Sequence, residues 1–150
     1  MEVDVLTEIE IAGPRESVAA YAANPDNATA WYANIRSVEW KSPKPLRVGS
    51  RVAFVASFLG RRLAYTYTVR EWVPGERLVM STTDGPFHME TTYEWIDSPA
   101  GGTVMTLRNR GTPSGFSKAA APLIAGKMKR ANAKDLSQLK ESIEACQGSI

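Results

Sequence analysis

The strongest constraint in this sequence is a change of period. From Ile35 to Arg110 the apolar residues recur at every second position, through six segments joined by Gly- or Pro-bearing links. After Gly115 they recur at every third or fourth position as far as Glu144. A period of two marks strands with one buried face, and short links between them require antiparallel neighbours. A βαβ series is therefore excluded. One apolar sheet face has to be covered by something. The long C-terminal helical stretch is the only large apolar element able to cover it.

The individual segments follow from the same pattern. Val3, Val5, Thr7, Ile9 and Ile11 share one face of a first strand, with Leu6 as the exception on the acidic face. Gly13-Pro14 ends it, and Val18, Ala19, Ala22 and Ala23 give a short helix its apolar side. Asn24-Pro25-Asp26 stops that helix, since Pro restricts the residue before it, and a second short helix fits Asn27 to Tyr32. Strands are expected over Ile35 to Lys41, Arg51 to Phe58, Arg61 to Trp72, Arg77 to Thr83, Phe87 to Ile96 and Thr103 to Arg110. In the final helix Leu123, Met128, Ala131, Leu136, Leu139 and Ile143 form the apolar line. Pro122 fits its first turn, with a looser segment from Phe116 before it. Leu123 to Glu144 spans roughly 30 Å at ~1.5 Å per residue. The fold class is α+β: a seven-stranded antiparallel sheet, two short helices after strand one, and one long helix.

Composition narrows the chemistry. The 150 residues suit one domain, 1–150. One Cys and one His exclude an internal disulfide and leave no set of ligands for a zinc site. No metal and no cofactor are expected. The formal charge of +2 is too small to suggest a nucleic-acid partner. No apolar run approaches the ~18 residues of a membrane span, so no integral membrane association is expected. The acidic start from Met1 to Ile11 does not read as a signal peptide. A cytoplasmic monomer or homodimer is the expectation. No phosphate-loop, dinucleotide, zinc-protease or hydrolase-elbow pattern is present.

Particular residues carry a family resemblance. These are Ile9-Glu10-Ile11-Ala12-Gly13-Pro14-Arg15-Glu16-Ser17-Val18, then Asn24-Pro25-Asp26-Asn27 with Trp31, and Val69-Arg70-Glu71-Trp72-Val73-Pro74-Gly75-Glu76-Arg77-Leu78. With the element order, the chain resembles the START-related, birch-pollen-allergen-like superfamily (SRPBCC), in its bacterial polyketide cyclase/dehydrase and lipid transport branch. The resemblance covers nearly the whole chain. It implies a helix-grip fold, a curved sheet gripping the C-terminal helix with a cavity between them. It also implies an apolar small-molecule ligand such as a lipid, polyketide or aromatic metabolite. Some members cyclise or dehydrate substrates and some are co-chaperones. The family has no shared catalytic set to carry over.

Three functions follow as expectations: binding of an apolar or amphipathic small molecule, a cyclase, aromatase or dehydratase reaction, and a partner-binding, co-chaperone-like role. For the ligand wall the strand faces offer Phe54, Phe58, Tyr65, Tyr67, Met80, Phe87, Met89, Tyr93 and Met105, with Trp95 on the same face. Asn109 joins them as a polar group beside Met105 and Leu107. Trp31 is either a lid or wall residue or an anchor for its helix. Met128 and Asn132 face the sheet from the long helix. Each of the apolar residues would serve equally well as plain core. Glu71 falls on the face of Tyr65, Tyr67 and Val69, so Tyr65, Tyr67 and Glu71 are the candidates for proton transfer. His88 alternates with Phe87 and Met89 and points away from the apolar side. Lys127, Lys129, Arg130 and Lys134 make a hydrated outer face on the helix, and Cys146 has no evident base beside it.

Overall fold

The computed structural model describes residues 3–58, 60–82, 87–113 and 121–147. Strand β1 spans Val3–Ile11, helix α1 Arg15–Ala23, a single 3-10 turn Pro25–Asn27 and helix α2 Ala28–Trp31. Strands β2 (Ile35–Trp40), β3 (Arg51–Phe58), β4 (Arg61–Val73), β5 (Arg77–Thr82), β6 (Phe87–Asp97) and β7 (Thr103–Pro113) follow, and helix α3 covers Ala121–Gln147. The seven strands form one antiparallel sheet in the order β1-β7-β6-β5-β4-β3-β2. β2 to β7 are a meander, as short links dictate. The first two strands of the chain lie at opposite edges of the sheet, and α1 and α2 carry the backbone between them.

Pro122 lies in the first turn of α3, where its missing N–H removes no helical bond. The segment expected from Phe116 to Ala120 and the strand end at Thr83 lie outside the described residues. The helix phase differs from expectation at one point. Leu123 is exposed and Ile124 is the buried residue, packed on Val3 and Val5. The inward line therefore runs Ile124, Met128, Asn132, Asp135 or Leu136, Leu139 and Ile143. Lys127, Lys129, Arg130 and Lys134 are all exposed on the other side of α3. Among the described residues, no helix is long and apolar enough to cross a membrane. No group of three His, Cys, Asp or Glu side chains there gathers to hold a metal.

The register aligns the inward residues in rows. Val5 faces Asn109, which faces Thr91, which faces Met80. In the next row Thr7 faces Leu107, Tyr93 and then Leu78. On the other half of the sheet Val52 pairs with Tyr67, Phe54 with Tyr65 and Ala56 with Leu63. The core has two characters. Toward one end Ile11, Val18, Ala19, Trp95, Met105, Leu107, Leu136, Leu139 and Ile143 belong to one closed cluster, each 5% exposed or less. Toward the other, Leu63 and Met89 pack with the half-buried Tyr65, Tyr67 and Met128.

Candidate functional site

The looser end holds a cavity between the sheet and the middle of α3. Its space for the centres of water-sized bodies is about 170 Å³, roughly ten times what a single water needs on that measure. β3, β4, β5 and β6 supply Phe54, Tyr65, Tyr67, Met80, Met89 and Tyr93. α2 supplies Trp31, followed by Tyr32; β7 supplies Asn109; α3 supplies Met128, Asn132 and Asp135. The cavity is open at one side, where the exposed Asn24 and the half-buried Asn34, Leu46 and Ser57 belong to its lining. One close approach keeps its floor in place. A Cβ on Gly111 would collide with Met89 Sδ and the His88 carbonyl, so only glycine lets β7 pass this near to Met89.

Several polar groups interrupt the apolar lining. The Tyr32 and Tyr93 hydroxyls are hydrogen-bonded to each other at 2.5 Å, with either as donor. Trp31 stacks on Tyr32 at 3.9 Å between centroids and meets Tyr93 at 5.9 Å. The Thr91 hydroxyl donates to Asn109 Oδ1 at 2.7 Å, a pair set up by their facing register. The same Thr91 hydroxyl lies 3.5 Å from the Tyr67 hydroxyl oxygen, a long secondary contact. Asp135 Oδ1 accepts the Ala33 N–H at 3.1 Å, which ties α3 to the end of α2. Asn132, one helical turn earlier and 5% exposed, has its Nδ2 buried with no acceptor among the described residues; the same holds for Trp31 Nε1.

Burial governs the titration of this group. It pushes the Asp135 carboxyl up to about 6, against the lowering effects of the Ala33 N–H and of Lys134. It also raises the hydroxyls of Tyr32, Tyr65, Tyr67 and Tyr93. Tyr93 and Asp135 reinforce the rise at Tyr32, and Thr91 partly offsets it at Tyr67. At neutral pH these tyrosines are protonated. They can donate hydrogen bonds but do not serve as bases.

The structure therefore brings together Trp31, Phe54, Tyr65, Tyr67, Met80, Met89, Tyr93, Asn109, Met128 and Asn132 around one space. Phe58 and Phe87 have side chains outside the described residues. Met105 is not at the cavity. It is fully enclosed in the closed cluster at the other end, because strand alternation selects a face without selecting a position along the sheet. Glu71 is not there either. A bulge between Val69 and Glu71 breaks the alternation, so Trp72 takes the row of Leu78. The Glu71 carboxylate points out to Arg77, which also binds Glu94. His88 is exposed.

Three further residues complete the polar lining: Tyr32, Asp135 and Thr91, the last on the inward face that alternation assigns to Met89 and Tyr93. Asp135 follows Met128 by seven and Asn132 by three, the spacing of one helix face. That spacing was the available signal.

This arrangement defines a class of protein, an α+β helix-grip fold that holds a chamber between its sheet and its long helix. The chain belongs to the polyketide cyclase/dehydrase and lipid transport family, whose model matches residues 2–144. It is similar in fold to the Zhui aromatase/cyclase from Streptomyces sp. R1128, with a TM-score of 0.80 at 13% identity over 96% of this chain and 94% of that one. A START superfamily protein from Mycobacterium smegmatis superposes with a TM-score of 0.79 at 13% identity, covering 93% and 98% of the two chains. TTHA0849 from Thermus thermophilus gives 0.80 at 20% identity over 95% and 98%. A sequence comparison with curated proteins finds no match.

Proposed function

We propose that this chain is a single START-like domain that binds an apolar or amphipathic small molecule between its sheet and α3. The observation that carries the reading is a predominantly apolar cavity wall interrupted by a few polar side chains. Ligand carbon placed against Phe54, Tyr65, Met80, Met89 and Met128 leaves water, at roughly 25 cal/mol per Å². The few polar groups of the lining fix its orientation. Native mass spectrometry of the protein purified from its host is expected to show a bound small molecule, released on denaturation. Ala131→Phe, which fills the cavity from α3, is expected to lower occupancy at least about tenfold. A preparation that carries no adduct and takes up no neutral apolar dye such as Nile red would refute this reading.

One observation favours an enzymatic version. Asp135 is a carboxyl poised at about 6 in an apolar chamber beside two tyrosine hydroxyls. A group with such a pKa exchanges a proton efficiently near neutrality. In a cyclisation or dehydration of a polyketide-like substrate, Asp135 takes or returns the proton, and the one hydroxyl proton that the Tyr32–Tyr93 pair does not use internally holds a carbonyl oxygen. Asp135→Asn is then expected to abolish turnover while leaving ligand uptake intact. Turnover that survives this substitution removes Asp135 from the chemistry.

A further inference from the structure

Part of the cavity's rim is built from two stretches of chain far apart in the fold's connectivity. Asn24 and Pro25 stand on the helical side and Leu46 on the side of the β2–β3 link, all three in the lining. Within the segment 42–48 only Ser42 and Leu46 are half-buried and the rest are exposed; Leu46 packs against the main core. The segment is fixed at both ends. The Lys41 N–H donates to the Arg51 carbonyl at 2.8 Å, and the Gly49 N–H to the Val69 carbonyl at 2.9 Å. Between those ends, among the described residues, it makes one hydrogen bond to the helical side. Asp26, next to Pro25, accepts Lys44 Nζ on one carboxylate oxygen and Trp40 Nε1 on the other, each at 2.8 Å. Lys44 Nζ also lies 5.5 Å from the centre of the Trp40 ring. Pro43 and Pro45 stiffen the backbone on either side of Lys44. The Lys44 ammonium and the Trp40 N–H hold the Asp26 carboxyl below its usual range, so it is charged at neutral pH. None of Asp26, Trp40 and Lys44 lines the cavity.

We infer that Asp26, Trp40 and Lys44 form a clasp that sets how fast a ligand enters and leaves the cavity, with Leu46 as the flap that moves when the clasp opens. The inference rests on the ligand-binding reading and adds a control on exchange at that same site. An exposed ion pair alone is a weak tie. Here the same carboxylate also takes the indole N–H, so opening has to break two charge-assisted bonds. A contact made alike in the empty and the filled protein adds nothing to affinity, because a ligand shifts an equilibrium only through what differs between the two states. It does raise the barrier to any passage that must break it. The clasp therefore acts on rates and leaves the equilibrium constant alone.

The test is stopped-flow fluorescence with Nile red at several protein concentrations, where the slope gives entry and the intercept release, beside an equilibrium titration. Asp26→Ala removes both bonds and is expected to speed entry and release alike by about tenfold, with Kd changed less than about twofold. Lys44→Met leaves the indole bond and is expected to speed both by about threefold. The double variant should be no faster than Asp26→Ala, because the two residues serve one clasp. Release from the wild type is expected to quicken between about 0.05 M and about 0.5 M NaCl as the ion pair is screened, and release from Asp26→Ala to stay level. Unchanged rates in Asp26→Ala overturn the inference. So does a weaker Kd with entry unchanged, which would make the clasp a support of the wall. Either result leaves the ligand-binding reading standing. A wild type that takes up no dye removes the inference, and one that also carries no native adduct removes the ligand-binding reading as well. The salt dependence of the wild type tests the clasp without any variant: a release rate indifferent to salt overturns the ion pair's part in it.

Discussion

The two ends of the interior are built from the same kinds of segment and finish differently. At one end Leu107, Met105, Leu139 and Ile11 meet with none of their surface exposed. At the other, Tyr65, Tyr67 and Met89 pack with Met128 of α3 and still leave a chamber beside it. The difference lies in what α3 presents. Its C-terminal half offers Leu136, Leu139 and Ile143, which interdigitate with the sheet. Its middle offers Ala131, Asn132 and Asp135, too small or too polar to fill the gap. A void on the apolar side of a sheet costs stability. The closed end supplies the stability that lets the open end remain hollow.

This contrast can be broken or sharpened by substitution. The largest effect is expected at the closed end, where Leu139→Ala should lower stability by about 2–5 kcal/mol in urea denaturation. A loss below about 1 kcal/mol would mean that this end is no better packed than the cavity. The next is expected at Asp135. Its folded pKa, about 6, lies above the unfolded value of 3.8, so the fold favours the protonated form. The stability this gives is fully present below about pH 4 and is lost as pH rises through about 6. Asp135→Asn keeps the Ala33 hydrogen bond and cannot ionise. Relative to wild type it should gain about 2–3 kcal/mol between about pH 4 and pH 8. A pH-independent difference would show that Asp135 is as well hydrated as a surface carboxylate.

Met128→Ala should cost no more than about 1.5 kcal/mol, because its side chain already borders empty space, yet it should weaken ligand uptake severalfold. A cost equal to that of Leu139→Ala would make the two ends alike. The smallest effect is expected for Glu71→Gln, within about 0.5 kcal/mol and with ligand uptake unchanged. Any loss of uptake would return Glu71 to the cavity despite the bulge.

The architecture was legible because each strand carries its own alternation and each link its own breaker. Gly13-Pro14, Pro74-Gly75 and Gly101-Gly102 fall at the observed boundaries, and Pro122 marks the observed start of α3. The cavity was legible only as a face. Alternation placed Met105 and Met89 on the same side of the sheet, but the depth of α3 over each row decides which is enclosed and which borders a void. Glu71 went the wrong way because one inserted residue reverses every side chain beyond it, and nothing in the local sequence announces the bulge. Leu123 and Ile124 were exchanged because adjacent helical positions differ by about 100°, and either could lead the apolar line. Asp135 was hidden by its charge. Next to Lys134 it reads as a solvent-facing acid, although its spacing from Met128 and Asn132 puts it on their helix face.

The pairing of β1 with β7 also governs the order in which this molecule can assemble. Val3 lies opposite Gly111, and Ile11 opposite Thr103. The first strand to emerge during synthesis therefore has no partner until almost all of the sheet has been made. The meander from β2 to β7 can zip by local contacts, whereas β1 has to wait, and contacts so distant in sequence are slow to form. α3 emerges later still, and it must settle against β1 before the chamber has a roof. The chamber is then the last part of this fold to form, and a nascent chain cut short before Ala121 would hold the sheet's apolar face open to the solvent.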